Sequence, residues 1–90
     1  MPTYLVERSL PGFTVDQLPL AAGAAKSTCE SIAATGTPVR YLRSTFVPTE
    51  EKCYCLFDAE SEDVVRQANE QAQLPFERIV LAEPITAEQV

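Results

Sequence analysis

Two runs rich in β-branched and aromatic residues, 39–47 (Val-Arg-Tyr-Leu-Arg-Ser-Thr-Phe-Val) and 52–58 (Lys-Cys-Tyr-Cys-Leu-Phe-Asp), are separated by Pro48-Thr49-Glu50-Glu51 alone. Four residues are too few for a crossover connection, so the runs must pair antiparallel as a hairpin. The rest of the chain has to be arranged around that hairpin.

On its N-terminal side, residues 3–9 (Thr-Tyr-Leu-Val-Glu-Arg-Ser) read as a strand ended by Pro11-Gly12. Thr14-Val15-Asp16-Gln17 has the capping-box form. A helix begun at Thr14 would meet Pro19 in its interior, losing a backbone hydrogen bond and gaining a clash. A short turn over 14–18 is therefore expected, leading into a helix with Pro19 in its first turn. Apolar residues then recur at helical spacing, at Ala22, Ala25, Cys29, Ile32 and Ala33, and Gly36 and Pro38 end the pattern. On the C-terminal side, Ser61 is placed to cap a second helix, with Glu62 and Asp63 where the helix dipole favours acids. Val64, Val65, Ala68 and Ala72 form its expected buried stripe. Leu74-Pro75 ends it, and residues 77–83 read as a last strand. The tail 84–90 is expected to be loose or docked on a neighbour.

The order β-α-β-β-α-β predicts an α+β fold, a ferredoxin-like sandwich of one domain over residues 1–90, with both helices on one face of a four-stranded antiparallel sheet. A sheet with one wet face should alternate apolar and polar residues. Here Tyr54 and Leu56 oppose Cys53, Cys55 and Phe57, and Ile79 and Leu81 oppose Val80 and Ala82, so both faces are largely apolar. The open face therefore calls for a lid, and a second copy is the simplest one, which predicts a homodimer.

The charge balance limits the partners. Thirteen acids against seven bases give a net charge of −6. The bases are scattered, which opposes the phosphate neutralisation that nucleic-acid binding requires. The start of the chain lacks the form of a signal peptide, and no apolar run has the length of a membrane span. A cytoplasmic protein with three reduced cysteines is expected. The chain has no histidine. That removes the commonest general base, every Ser-His or Cys-His nucleophile pair and every imidazole metal ligand.

Among the chemistry-bearing residues, Cys53 and Cys55 stand two apart on a strand. They share a face with their Cα atoms about 7 Å apart. Two thiolates could hold a soft metal with a third donor from Cys29, a carboxylate or a second copy; equally, both could pack as small hydrophobes. Cys29 sits in a helical stripe and reads as core. Glu7 lies within the first strand and would need a cation, for which Arg8, Arg40 and Arg43 are candidates. Tyr41 and Arg43, read as sharing a face of the second strand, could join Glu7 in binding a small anionic molecule, or serve as sheet packing.

Tyr4-Leu5-Val6-Glu7-Arg8 followed by Leu10-Pro11-Gly12, then Tyr54-Cys55 after an acidic turn, then Leu74-Pro75 before Arg78-Ile79, resembles a family of small bacterial proteins. It is a domain family of unknown function, abundant in actinomycetes, that includes a nickel-binding member. The resemblance covers nearly the whole chain and implies a ferredoxin-like fold, a dimer and, for the characterised member, a metal site. Relatives often carry histidine where Arg43 stands and near Ala68; both are missing here, so if a metal binds, Cys53 and Cys55 are its first expected ligands. Two classes of function are then open. One is a non-enzymatic homodimer that binds a transition metal such as nickel, or a small organic ligand. The other is a small cofactor-independent dimeric α+β-barrel enzyme acting on a hydrophobic substrate. It would need Glu7, Asp58, Glu83 or a tyrosine as acid or base, and a buried, unpaired carboxylate in a pocket would mark it.

Overall fold

The computed structural model describes residues 1–90. Its elements are β1 (Thr3–Ser9), α1 (Leu18–Ala34), β2 (Val39–Val47), β3 (Lys52–Ala59), α2 (Glu62–Gln71) and β4 (Arg78–Ala82). The capping sequence before α1 forms a short 3-10 turn, Val15–Gln17, in which the Thr14 N–H donates to Gln17 Oε1 at 2.9 Å. Pro19 then falls in the first turn of α1, where its missing N–H has no helical acceptor to lose. Gly36, at φ 100°, takes the left-handed conformation that ends α1. Ser61 occupies the N-cap position of α2, but its side chain makes no capping hydrogen bond. The acids Glu62 and Asp63 alone favour that terminus electrostatically.

All strands pair antiparallel in the order β2-β3-β1-β4. Of the two central strands, β3 alternates strictly in burial and β1 does so over residues 5–8. In β3, Cys53, Cys55, Phe57 and Ala59 are buried under the helices while Tyr54, Leu56 and Asp58 stay half-buried on the open face. In β1, Val6 and Arg8 point to the helices and Leu5 and Glu7 to the open face. Cross-strand rows on the helix side therefore run Phe46–Cys53–Arg8, then Ser44–Cys55–Val6–Ile79, then Tyr41–Phe57–Tyr4–Leu81. Ala25, Cys29 and Ile32 of α1 and Val65 and Ala68 of α2 close over these rows to form the core. In α2 the buried stripe includes Asn69, 1% exposed, while Ala72 is half-buried. No helix is long and apolar enough to cross a membrane.

One irregularity changes the sequence reading. Leu42 is an extra residue in β2, a β-bulge between the pairs Tyr41↔Phe57 and Arg43↔Leu56. A bulge reverses the alternation of the residues beyond it. Tyr41 consequently faces the helices, with its ring edge-on to Phe57 at 5.5 Å, while Arg43 faces the open side.

Candidate functional site

The expected cluster of Glu7, Tyr41 and Arg43 does not assemble, because the bulge puts Tyr41 on the opposite face from the other two. Glu7 does have cationic partners, but not the expected ones. Arg78 Nε donates to its Oε1 at 2.8 Å, and Lys52 Nζ lies 3.5 Å from its Oε2 while also contacting Glu77. Arg78 is drawn in by register, since it stands directly across from Glu7. Its hydrogen bond, reinforced by the positive charges of Arg78 and Lys52, holds the Glu7 carboxyl below its ordinary pKa despite partial desolvation. Arg40 instead pairs with Asp58 at 3.0 Å, and Thr3 donates to the same carboxylate at 2.6 Å. Arg8 is on the other side of the sheet from Glu7.

The cysteine pair does assemble, facing the helices. Cys53 Sγ and Cys55 Sγ are 3.8 Å apart, and a chain of close polar contacts runs from Cys55 Sγ to Ser44 Oγ at 2.9 Å and on to Tyr41 Oη at 2.7 Å. Burial pushes the Cys53 thiol up to about 11, with the neighbouring Cys55 adding to the rise. Burial likewise raises Tyr41, and raises Cys29 to about 11. All three cysteines are free.

Sequence reasoning missed the residue that defines the site. Arg8 is only 3% exposed. Its Nη1 donates to the Pro75 carbonyl at 3.1 Å, and its Nη2 is buried with no partner. The signal was available: Tyr4, Val6 and Arg8 share the period-two phase that faces the core, and Arg8 stands across from Cys53. Local structure holds it there from both ends. After β1, the Leu10 N–H donates to the Glu51 carbonyl at 2.8 Å and the Gly12 N–H to Glu51 Oε2 at 2.7 Å, with Gly12 at φ 77°. The post-β1 turn is thereby fastened to the β2–β3 turn. After α2, Gln73 turns left-handed at φ 58°, the Leu74 N–H donates back to the Asn69 carbonyl at 3.0 Å, and Glu77 N–H to the Glu7 carbonyl at 2.7 Å. That route carries the Pro75 carbonyl to the Arg8 guanidinium.

Between these walls lies a cavity of about 50 Å³. It exists because small residues face each other across it. Ala21, Ala22 and Ala25 of α1 stand over Ser44, Cys53 and Cys55 of the sheet, and neither layer can fill the gap. Leu10, Phe13, Leu18 and Leu74 complete an apolar lining, and Arg8 is its one charged residue. The volume is several times the roughly 10–15 Å³ that one water requires.

A metal fits this site poorly. A sulfur spacing of 3.8 Å is near that of two thiolates on one tetrahedral ion with metal–sulfur bonds of about 2.3 Å. However, no third cysteine or carboxylate joins the pair, and Cys29 is not brought to it. A copy docked on the open face would lie across the sheet from both sulfurs. The neighbouring guanidinium would repel a cation, and imidazole, which nickel favours, is absent from the chain.

No curated protein matches the chain. Its fold is similar to that in the crystal structure of SCO4226 from Streptomyces coelicolor A3(2), at TM-score 0.76 and 23% identity, over 94% of this chain and 99% of that one. Residues 4–81 match the family described as nickel responsive protein SCO4226-like. The chain belongs to that SCO4226-like family, an α+β family whose relative in an actinomycete is of known structure.

Proposed function

We propose that this chain is a non-enzymatic, cytoplasmic, homodimeric binding protein, a ferredoxin-like sandwich whose ligand is a small organic molecule held between α1 and the sheet. The observation that carries this is the pocket itself: an apolar cavity with one convergent charged group, the usual composition of a small-molecule site. The enzyme reading gains no support from it, because no carboxylate lines the cavity and Glu7 is paired on the opposite face. The half-buried stripe of Leu5, Tyr54, Leu56 and Val80 supports dimerisation through the open face. The net charge of −6 argues for a partner other than nucleic acid.

Nickel is the second reading, favoured by the family description and by the sulfur spacing. One experiment separates the two. Protein purified without a histidine tag is examined by native mass spectrometry and elemental analysis. The expected result is an organic mass released on denaturation, with no stoichiometric metal. One nickel per chain, lost in the Cys53→Ser, Cys55→Ser double variant while the fold persists, would sink the organic-ligand reading in favour of the metal. Sedimentation equilibrium checks the dimer, which is wrong if only monomer is present at micromolar concentration.

A further inference from the structure

We infer that the pocket recognises the carboxylate of a small amphipathic acid, with the Arg8 guanidinium as its anchor and the apolar walls taking a short aliphatic tail. This rests on the pocket being a ligand site at all. It adds the chemical class of what enters and the residue that selects it.

Arg8 carries the inference through what it lacks. A buried ion is tolerated when it is paired and its hydrogen-bonding positions are filled, because desolvation costs several kcal/mol per ion. Arg8 has one neutral carbonyl, Pro75 O at 3.1 Å, and a second terminal nitrogen with nothing to donate to. No acid in the chain pairs with it. The groups beside it do not neutralise it either, since the Cys53 thiol is protonated at neutral pH and Ser44 is uncharged. A planar fork of N–H donors fits an oxyanion, and a carboxylate most directly.

The remainder of the lining distinguishes a carboxylic acid from an inorganic anion. Phosphate or sulfate would need more donors than one half-used guanidinium. The other walls are methyls, methylenes and rings from Leu10, Phe13, Leu18, Ala22 and Leu74, which give such an ion nothing and stabilise a hydrocarbon. The lining runs from buried Leu10, Cys53 and Cys55 to half-buried Phe13, Leu18 and Leu74 and exposed Pro75. The Arg8 guanidinium meets the Pro75 carbonyl at that outer end, so a short acid places its head there and its tail along Leu10, Phe13, Leu18 and Leu74. The Ser44 hydroxyl also lines the cavity, held between Tyr41 Oη and Cys55 Sγ.

The test compares acids with alcohols of equal chain length by isothermal titration of the full chain. Butyrate, hexanoate and octanoate are set against butanol, hexanol and octanol, with sodium phosphate as the inorganic control. At least one acid should bind ten times or more tightly than its alcohol, a difference of about 1.4 kcal/mol. That preference should disappear in Arg8→Met. The same variant should melt at or above the temperature of the unliganded parent, because it removes an uncompensated buried charge. Should Arg8→Met fail to fold, the wild-type protein still decides the matter by nitrogen NMR. The Arg8 guanidinium resonances should move on adding the acid and remain still on adding the alcohol. Equal affinity for acid and alcohol, binding of the acid without movement of the Arg8 signals, or phosphate binding as tightly as the best acid would each overturn the carboxylate assignment while leaving a pocket ligand standing. If neither acids nor alcohols enter, and Ala22→Leu, which fills the cavity, changes nothing but melting temperature, the pocket reading fails as well.

Discussion

Glu7 and Arg8 are adjacent in β1, and the pleat sends them to opposite faces of the sheet, where their charges meet different conditions. On the open face Glu7 has Arg78 at 2.8 Å and Lys52 at 3.5 Å, and Asp58 has Arg40 at 3.0 Å. On the helix face Arg8 is buried with a single carbonyl and an orphaned nitrogen. Exposed or half-exposed pairs contribute little to stability because water already solvates both partners. A buried cation without an anion is costly, and a fold that keeps one needs a reason for it. The open face pairs the Glu7 and Asp58 carboxylates beside water, whereas the helix face packs apolar side chains and leaves Arg8 without an anion.

The largest effect should come from breaking the packing difference between the faces within one strand. Phe57 is 1% exposed beneath the helices, and Phe57→Ala should cost about 3–5 kcal/mol. Leu56, its neighbour on the open face, is half-buried, and Leu56→Ala should cost under about 2 kcal/mol at low protein concentration. Urea denaturation at several concentrations measures both. A dimer through the open face makes the Leu56→Ala loss grow with protein concentration, while that of Phe57→Ala should be dominated by the core. Equal, concentration-independent losses would contradict both the asymmetry and the interface.

A second experiment sharpens the comparison through thiol chemistry. With its thiol near 11, Cys53 should be alkylated by iodoacetamide at pH 8 roughly two orders of magnitude more slowly than a free thiol of ordinary pKa, since only the thiolate reacts. The rate should climb about tenfold per pH unit until the thiol titrates. A cysteine introduced on the open face by Thr45→Cys, where the residue is exposed in the single chain, should react at the ordinary rate in protein dilute enough to be monomeric. Mass spectrometry after peptide digestion separates the sites. Comparable rates at positions 45 and 53 in the folded protein would mean that the helix face is open to solvent.

Much of the frame was legible because it rests on local signals. The strand boundaries 39–47 match β2, and the proline-directed start of α1 comes from a backbone constraint that tertiary structure cannot override. The last strand is shorter than expected, 78–82 rather than 77–83. The site was less legible for two physical reasons. Nothing in Tyr41-Leu42-Arg43 marks a bulge, so period-two counting puts Tyr41 and Arg43 together when the extra residue separates them. Arginine is also usually solvated, so Arg8 reads as a partner for its neighbour Glu7, although its phase with Val6 already points inward. Counting does place Cys53 and Cys55 on one face correctly. That this face lies away from any copy on the open side depends on the helices and could not be counted from the strand alone.

The smallest effect concerns Glu7, and its value lies in its sign. Hydrogen bonding from Arg78, with the charges of Arg78 and Lys52, depresses the folded pKa of Glu7 below the 4.5 of the free group. A group depressed on folding stabilises the native state fully above its unfolded pKa, and that contribution is lost as pH falls through the folded value. Glu7→Gln should therefore be modestly less stable than the parent at pH 7. The gap should close below pH 4.5, and neither chain should differ from the other once the parent's Glu7 is protonated. Lys52 runs the opposite way: its hydrogen bond to Glu77 and the nearby acids raise it above 10.5, so its contribution is lost only as pH rises past that value. Urea midpoints between pH 2 and 7, repeated in high salt to screen the half-exposed pairs, read the Glu7 effect directly. A Glu7→Gln deficit that persists unchanged to pH 2 would show that the side chain's packing, rather than its charge, matters. The contrast between a paired charge at position 7 and an unpaired one at position 8 would then lose its first half.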